Sequence, residues 1–216
     1  MRVNEIFHSL QGEGYNSGTP AVFIRFSGCN LQCPFCDTQH ESGTEMTEQE
    51  IVEAVKHLAP CSSKITPPSS LLPRPSSFLL PRSSLLVITG GEPALQLTAS
   101  LVDALHEIGK RVAVETNGTL PLPSNVDWIT LSPKSAWLGD EAMPVLTRAD
   151  ELKVLYDGSH DPSAFDFIAA THRFLQPMDT GDANRNADLM QQAADYCLQH
   201  PQWRLSLQIH KILNIR

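Results

Sequence analysis

The stretch LLVITGGEPALQLTASLVDALHEIGKRVAVE, residues 85–115, decides the fold. It opens on a short apolar run, LLVIT (85–89), and closes on another, RVAVE (111–115). Both are continuous rather than alternating, as strands covered on both faces are. Between them Leu97, Leu101, Leu105 and Ile108 recur at helical spacing, and Gly109 follows as a helix-ending glycine. Strand, helix and strand in so short a span form a right-handed βαβ unit, which commits the chain to a parallel sheet.

The same rhythm extends outward. Further strands are expected at AVFIRF (21–26), DWITL (127–131), ELKVLY (151–156), HRFLQ (172–176) and RLSLQI (204–209). A helix is expected over TEQEIVEAVKHL, where Thr47 and Glu50 make a capping box. Another is expected over NADLMQQAADYCLQH, where Leu189, Ala193, Tyr196 and Cys197 share a face. The fold class is therefore α/β, a single domain over 1–216 with about six or seven mostly parallel strands. A full eightfold barrel typically needs about 250 residues. This 216-residue chain is expected to form a partial barrel or an open sheet.

One segment breaks the rhythm. Residues 60–84 read PCSSKITPPSSLLPRPSSFLLPRSS, with six of the sixteen prolines, no acid and a near-repeat of SSLLPR. Repeated prolines remove donors and forbid a helix, so this is read as a low-complexity, disordered insertion. Hydrophobic content of 41% and a net charge of −8 fit a globular chain. No basic stripe points to nucleic acid, and no apolar run is long enough to span a membrane. The opening MRVNEIFHSLQGEG lacks the basic and apolar regions of a secretory signal, so a cytoplasmic location is expected.

That compartment keeps thiols reduced, which turns attention to the five cysteines. Cys61 and Cys197 stand alone and read as ordinary thiols. Cys29, Cys33 and Cys36 cluster in CNLQCPFCDT, spaced C-x3-C-x2-C. A structural zinc site wants four ligands, usually in two separated pairs, and no second pair exists; His40 is the available fourth group. A four-iron cluster takes one thiolate per iron, so three thiolates leave one iron open for a ligand. The missing ligand argues for chemistry over scaffolding.

With Phe35 before the last cysteine, C-x3-C-x2-C resembles the signature of radical S-adenosylmethionine enzymes. ITGGEP (88–93), at the end of the LLVIT strand, resembles that superfamily's element for the cofactor's methionyl amine. The further motifs SLQGEG, SGC, CDT, ETNGT, SPK, QPMD and LSLQIHK make the chain similar to the 7-carboxy-7-deazaguanine synthase family over nearly its whole length, the Pro/Ser segment excepted. That resemblance implies a modified partial (β/α) barrel and a carbon–nitrogen lyase. It converts 6-carboxy-5,6,7,8-tetrahydropterin to 7-carboxy-7-deazaguanine with loss of ammonia, on the way to queuosine and related deazapurines. It further implies a 4Fe–4S cluster, S-adenosylmethionine, Mg2+, a homodimer and an electron donor such as flavodoxin.

The resemblance also assigns residues. Cys29, Cys33 and Cys36 would hold the cluster, and Thr38 the Mg2+. Phe35, Cys36, Asp37, Gly91, Glu92, Ser132, Pro133, Lys134, Gln176, Pro177, Met178 and Asp179 would face the cofactor. Leu10, Gln11, Gly12, Glu13, Arg25, Thr89, Glu115 and His210 would face the substrate, with Glu115 and His210 catalytic. The residue types suit a flat polar ring bearing a carboxylate: Arg25 offers a planar fork, and Glu13 and Glu115 accept from ring N–H groups. Standing alone, Arg25 reads as an ion pair, Glu13 as a turn residue and His210 as a strand histidine. The chain departs from the family's LQTHK pattern in having Ile209, and its ending LNIR differs, which bears on Arg216. Two other readings of the cysteines are a radical enzyme that activates a glycyl-radical protein and a zinc-binding adaptor without chemistry.

Overall fold

The computed structural model describes residues 1–58 and 84–215. The Pro/Ser-rich insertion with Cys61, apart from Ser84, lies outside the described residues, as does Arg216. Nine strands form one sheet: β1 (Arg2–Leu10), β2 (Pro20–Phe26), β3 (Thr44–Glu45), β4 (Leu85–Gly90), β5 (Arg111–Thr116), β6 (Trp128–Leu131), β7 (Arg148–Tyr156), β8 (Ala169–Pro177) and β9 (Arg204–Leu205). Their spatial order is β3-β1-β2-β4-β5-β6-β7-β8-β9. β2 and β4 to β9 pair in parallel, while β1 is antiparallel to both its neighbours.

The helices are α1 (Glu48–Leu58), α2 (Ala99–Glu107), α3 (Ser135–Leu138), α4 (Ala183–Gln199) and α5 (Ile209–Ile212). From β2 onward the parallel strands follow chain order, so right-handed crossovers place the connecting elements on one face of the sheet. That outer face is apolar. Val22, Ile24, Phe26, Leu86, Ile88, Val112 and Val114 pack against Ile51, Val52 and Val55 of α1 and Leu101, Val102 and Leu105 of α2. Further along, Leu131, Leu152, Val154 and Leu175 pack with Phe165, Ile168, Trp203 and Ala193 of α4. The capping box holds as read: Thr47 N donates to Glu50 Oε2 at 2.8 Å, and Glu50 N to Thr47 Oγ1 at 3.2 Å. Gly109 closes α2 at φ +77, a backbone conformation that suits glycine.

With one face covered by helices, the other is left to curve around a cavity, as in a partial barrel. Near the amino ends of the parallel strands this inner face is plugged by Phe7, Ala21, Phe23, Leu85, Val87, Ala113 and Trp128. Tyr15 stacks on both Trp128 and His172 at 5.0 and 4.3 Å, closing the plug.

Two sequence expectations change. The N-terminal strand β1 is not evident from apolar runs, because it carries Asn4, Glu5 and His8 among Val3, Ile6 and Phe7 and has an irregular register at its start. The strand expected over 204–209 is only Arg204–Leu205; the chain then turns back, and Ile209 N donates to Gly12 O at 3.0 Å. His210 therefore sits on the short helix α5, not at a strand end. The tie draws the C-terminal segment across the gap between β9 and the loop after β1.

Candidate active site

Above the apolar plug, the inner face turns polar and surrounds a cavity of about 630 Å3. Period two explains the change: after Phe23, Val87 and Ala113, the next inward residues at the carboxyl ends are Arg25, Thr89 and Glu115. Lys153 of β7 and Gln176 of β8 continue the same ring. The loops that follow the strands supply the remainder, the usual arrangement in parallel α/β folds.

The three clustered cysteines lie in the loop after β2, and all face this cavity with Phe35, Asp37 and Thr38. Among the described residues no three metal-binding side chains converge on a single ion. A cluster does not demand that, since each thiolate holds a different iron. Burial pushes the Cys29 and Cys33 thiols up, which bound iron would oppose. The cysteine loop is seated by glycine: a Cβ on Gly91 would stand 2.1 Å from Gly28 O and 2.8 Å from Cys29 Cβ. The backbone approach that GGEP permits is therefore to the cysteine loop itself. Three thiols on one wall, beside a glycine-lined approach, fit a cluster held from one side.

Glu92 is fully buried and does not line the cavity. Its carboxylate accepts from Thr116 Oγ1 at 2.7 Å, Asn117 N at 2.8 Å and Ala94 N at 3.0 Å. It thereby locks ETNGT to the GGEP turn, and burial pushes its carboxyl up. Pro133 and Pro177 are also buried outside the cavity wall, whereas Ser132, Lys134, Gln176, Met178 and Asp179 line it. Lys134 Nζ donates to Ser132 O and Oγ at 2.7 and 2.6 Å. Burial brings its ammonium down to about 8, and Cys33 pulls the other way.

Leu10, Gln11, Gly12, Glu13, Arg25, Thr89, Glu115 and His210 also line this cavity. Gly12 is pressed against the His210 ring, and a Cβ there would fall 2.2 Å from Nδ1. Arg25 Nε donates to Glu5 Oε1 at 2.9 Å, and its Nη1 stands 3.4 Å from Thr38 Oγ1. Guanidinium and hydroxyl thus meet at one region of the cavity.

A polar chain crosses the cavity. Gln11 Nε2 donates to Glu115 Oε1 at 2.8 Å, and Lys153 Nζ pairs with Glu115 at 3.3 Å and closely with Glu13. Gln208 Nε2 donates to Glu13 Oε1 at 3.0 Å. Lys211 Nζ bridges Asp37 and Asp179, each at 2.8 Å, which ties the C-terminal segment to the cysteine loop. Burial would raise the Glu13 carboxyl, but Lys153 outweighs it and holds it at about 2. The Lys211 hydrogen bond likewise lowers Asp179 to about 2. Lys153, Gln208 and Lys211 are lining residues not singled out from the sequence. For Lys153 a signal was present: Glu151 and Lys153 stand two apart in an apolar parallel strand, so two charges share a buried face and need partners.

No family model matches the chain. Curated relatives do. The chain is 46% identical over its full length to the 7-carboxy-7-deazaguanine synthase of Bacteroides thetaiotaomicron, spanning 98% of it. It is 42% identical over 99% of its length to the synthase of that name from Nitratidesulfovibrio vulgaris, again spanning 98% of the relative. Among solved structures, QueE from Escherichia coli matches with a TM-score of 0.70 and 26% identity, over 96% of this chain and 93% of that one. Full-length identity at this level shows descent, and the chain belongs to the 7-carboxy-7-deazaguanine synthase family.

Proposed function

We propose that the protein is a radical S-adenosylmethionine lyase that converts 6-carboxy-5,6,7,8-tetrahydropterin to 7-carboxy-7-deazaguanine and ammonia. The supporting observation is the coincidence of two facts: relatives of that name match end to end, and most of the motif residues line one cavity. The alternative of a glycyl-radical activator has no counterpart among these relatives.

Cys29, Cys33 and Cys36 would hold a 4Fe–4S cluster. When bound there, the cluster and S-adenosylmethionine supply the radical that abstracts hydrogen from the substrate. The protein's own contribution is binding and orientation. Phe35, Asp37, Gly91, Ser132, Lys134, Gln176, Met178 and Asp179 form the cofactor wall, with Glu92, Pro133 and Pro177 setting the turns behind it. Arg25 presents two parallel N–H donors for the substrate carboxylate, and Thr38 offers the hydroxyl for Mg2+, a hard ion that favours oxygen. Leu10, Gln11, Gly12 and Thr89 frame the ring, and Glu13 and Glu115 accept from its N–H groups. His210 is placed to move a proton, with Glu115, during the ring contraction. Lys211, clasping Asp37 and Asp179, ties the C-terminal segment to the cysteine loop. An external reductant such as flavodoxin and a homodimeric state complete the reading.

Anaerobic reconstitution with iron and sulfide, followed by assay with the carboxypterin, S-adenosylmethionine and Mg2+, tests it. Brown protein that forms the deazaguanine product is expected. A stable cluster without that product would overturn the substrate assignment; zinc without sulfide would overturn the enzyme assignment.

A further inference from the structure

We infer that Lys153 is a positioning residue for the substrate ring: its ammonium holds Glu13 and Glu115 side by side as paired acceptors, and so selects a ring edge that offers two N–H donors. The inference rests on the cavity reading proposed above and deepens it by naming what sets ring specificity.

Lys153 projects inward from β7 and only 5% of it is exposed. It contacts both carboxylates, which come from distant places: Glu13 from the loop after β1 and Glu115 from β5. Two acids on one small floor would repel, and burial would drive one of them to take a proton. A protonated carboxyl is a donor on one oxygen, so the floor would then present a mixed edge. The ammonium between them removes that outcome.

The remaining oxygens are also accounted for. Gln11 Nε2 occupies Glu115 Oε1, and Gln208 Nε2 occupies Glu13 Oε1. Both amides are neutral donors and bind a carboxylate less strongly than the charged Lys153, so a ligand donor displaces an amide at lower cost than the ammonium. Its neighbour on the same face, Glu151, adds a third acid behind it and accepts from Tyr15 N at 3.1 Å. The cation is thus ion-paired to two carboxylates, with Glu151 two residues away on the same face of β7. A ring with adjacent amino and ring N–H groups, as in a 2-aminopyrimidinone, matches two fixed acceptors. A ring lacking the amino group leaves one buried carboxylate unpaired.

The test measures binding by calorimetry to the reconstituted protein with S-adenosylmethionine, using 7-carboxy-7-deazaguanine and its analogue without the 2-amino group. Wild type is expected to favour the amino-bearing ligand by about tenfold or more, the value of a charge-assisted hydrogen bond. Lys153→Met should weaken that ligand by a similar factor and bring the two ligands close to equal. In a Glu151→Gln background, which removes the carboxyl that titrates near 7, the infrared difference spectrum of Lys153→Met at neutral pH should gain a protonated carboxyl band, and the gain should disappear when Glu13→Gln and Glu115→Gln are added. Should the methionine variant be insoluble, Lys153→Gln serves, with the same expectations. A variant that keeps the wild-type preference, or that loses both ligands equally, overturns the inference while leaving the cavity reading intact. Wild type that binds neither ligand overturns the cavity reading and the inference with it.

Discussion

The two faces of the same strands behave as two different molecules. On the outer face Leu86, Ile88, Val112 and Val114 are fully buried under α1 and α2, with no polar side chain among them. On the inner face, one residue away in sequence, Val87 and Ala113 give way to Thr89 and Glu115. The first face derives stability from apolar area and tight packing. The second holds ionised groups in a half-closed cavity, where each must be paired. Side-chain alternation lets one strand serve both ends separately, and the comparison predicts that mutations on the two faces fail in different ways.

The largest expected effect is on the inner side. Cys33→Ala should abolish cluster assembly and turnover while leaving the melting temperature of the metal-free protein unchanged, checked by iron analysis and thermal denaturation. A large loss of metal-free stability would mean that the cysteine loop belongs to the fold. On the outer side, Leu86→Ala removes a fully buried side chain and should cost about 3 kcal/mol. That corresponds to a melting temperature lower by roughly 10 °C in a chain of this size.

Glu151 tests the boundary between the faces. Burial raises its carboxyl to about 7. A raised carboxyl favours the protonated folded state, so its stabilising contribution is full below its unfolded value. It is then lost as pH climbs through about 7. Glu151→Gln should therefore flatten the fall in stability between pH 5 and 8. At pH 8 it should be more stable than wild type, by about 1–3 kcal/mol. Denaturant titrations at several pH values measure this; an unchanged slope would show that Glu151 is ionised throughout. The smallest effect is expected far from both faces: Thr47→Ala removes the α1 capping box at a cost of about 1 kcal/mol, with turnover preserved.

What the sequence made legible follows the same division. The outer face announces itself, since apolar runs and helical periodicity are local signals, and AVFIRF, LLVIT and RVAVE lie where they were read. The cysteine loop was legible by spacing and the other motifs by resemblance to the family, and the fold gathers most of them around one cavity. What stayed hidden was non-local. β1 is half polar because it borders the cavity, so its apolar pattern is weak. The segment after Leu205 leaves the sheet because Gly12 O accepts from Ile209 N, a contact almost two hundred positions apart in the chain that no window of sequence contains. Glu92 reads as a ligand group, yet three protein donors surround it. Lys153 reads as one polar letter in an apolar strand, and its role is visible only once Glu13 and Glu115 stand beside it.

The central claim is that stability resides on the outer face and substrate recognition on the inner. The most direct measurement places Arg25→Ala and Leu86→Ala side by side, recording melting temperature and the kcat/KM of reconstituted protein for the carboxypterin at a temperature where both are folded. Arg25→Ala should raise KM strongly with little change in melting temperature, and Leu86→Ala should melt roughly 10 °C lower with kcat/KM near wild type. If Arg25→Ala instead unfolds the protein while leaving KM unchanged, or Leu86→Ala loses turnover without losing stability, the division of the two faces is contradicted.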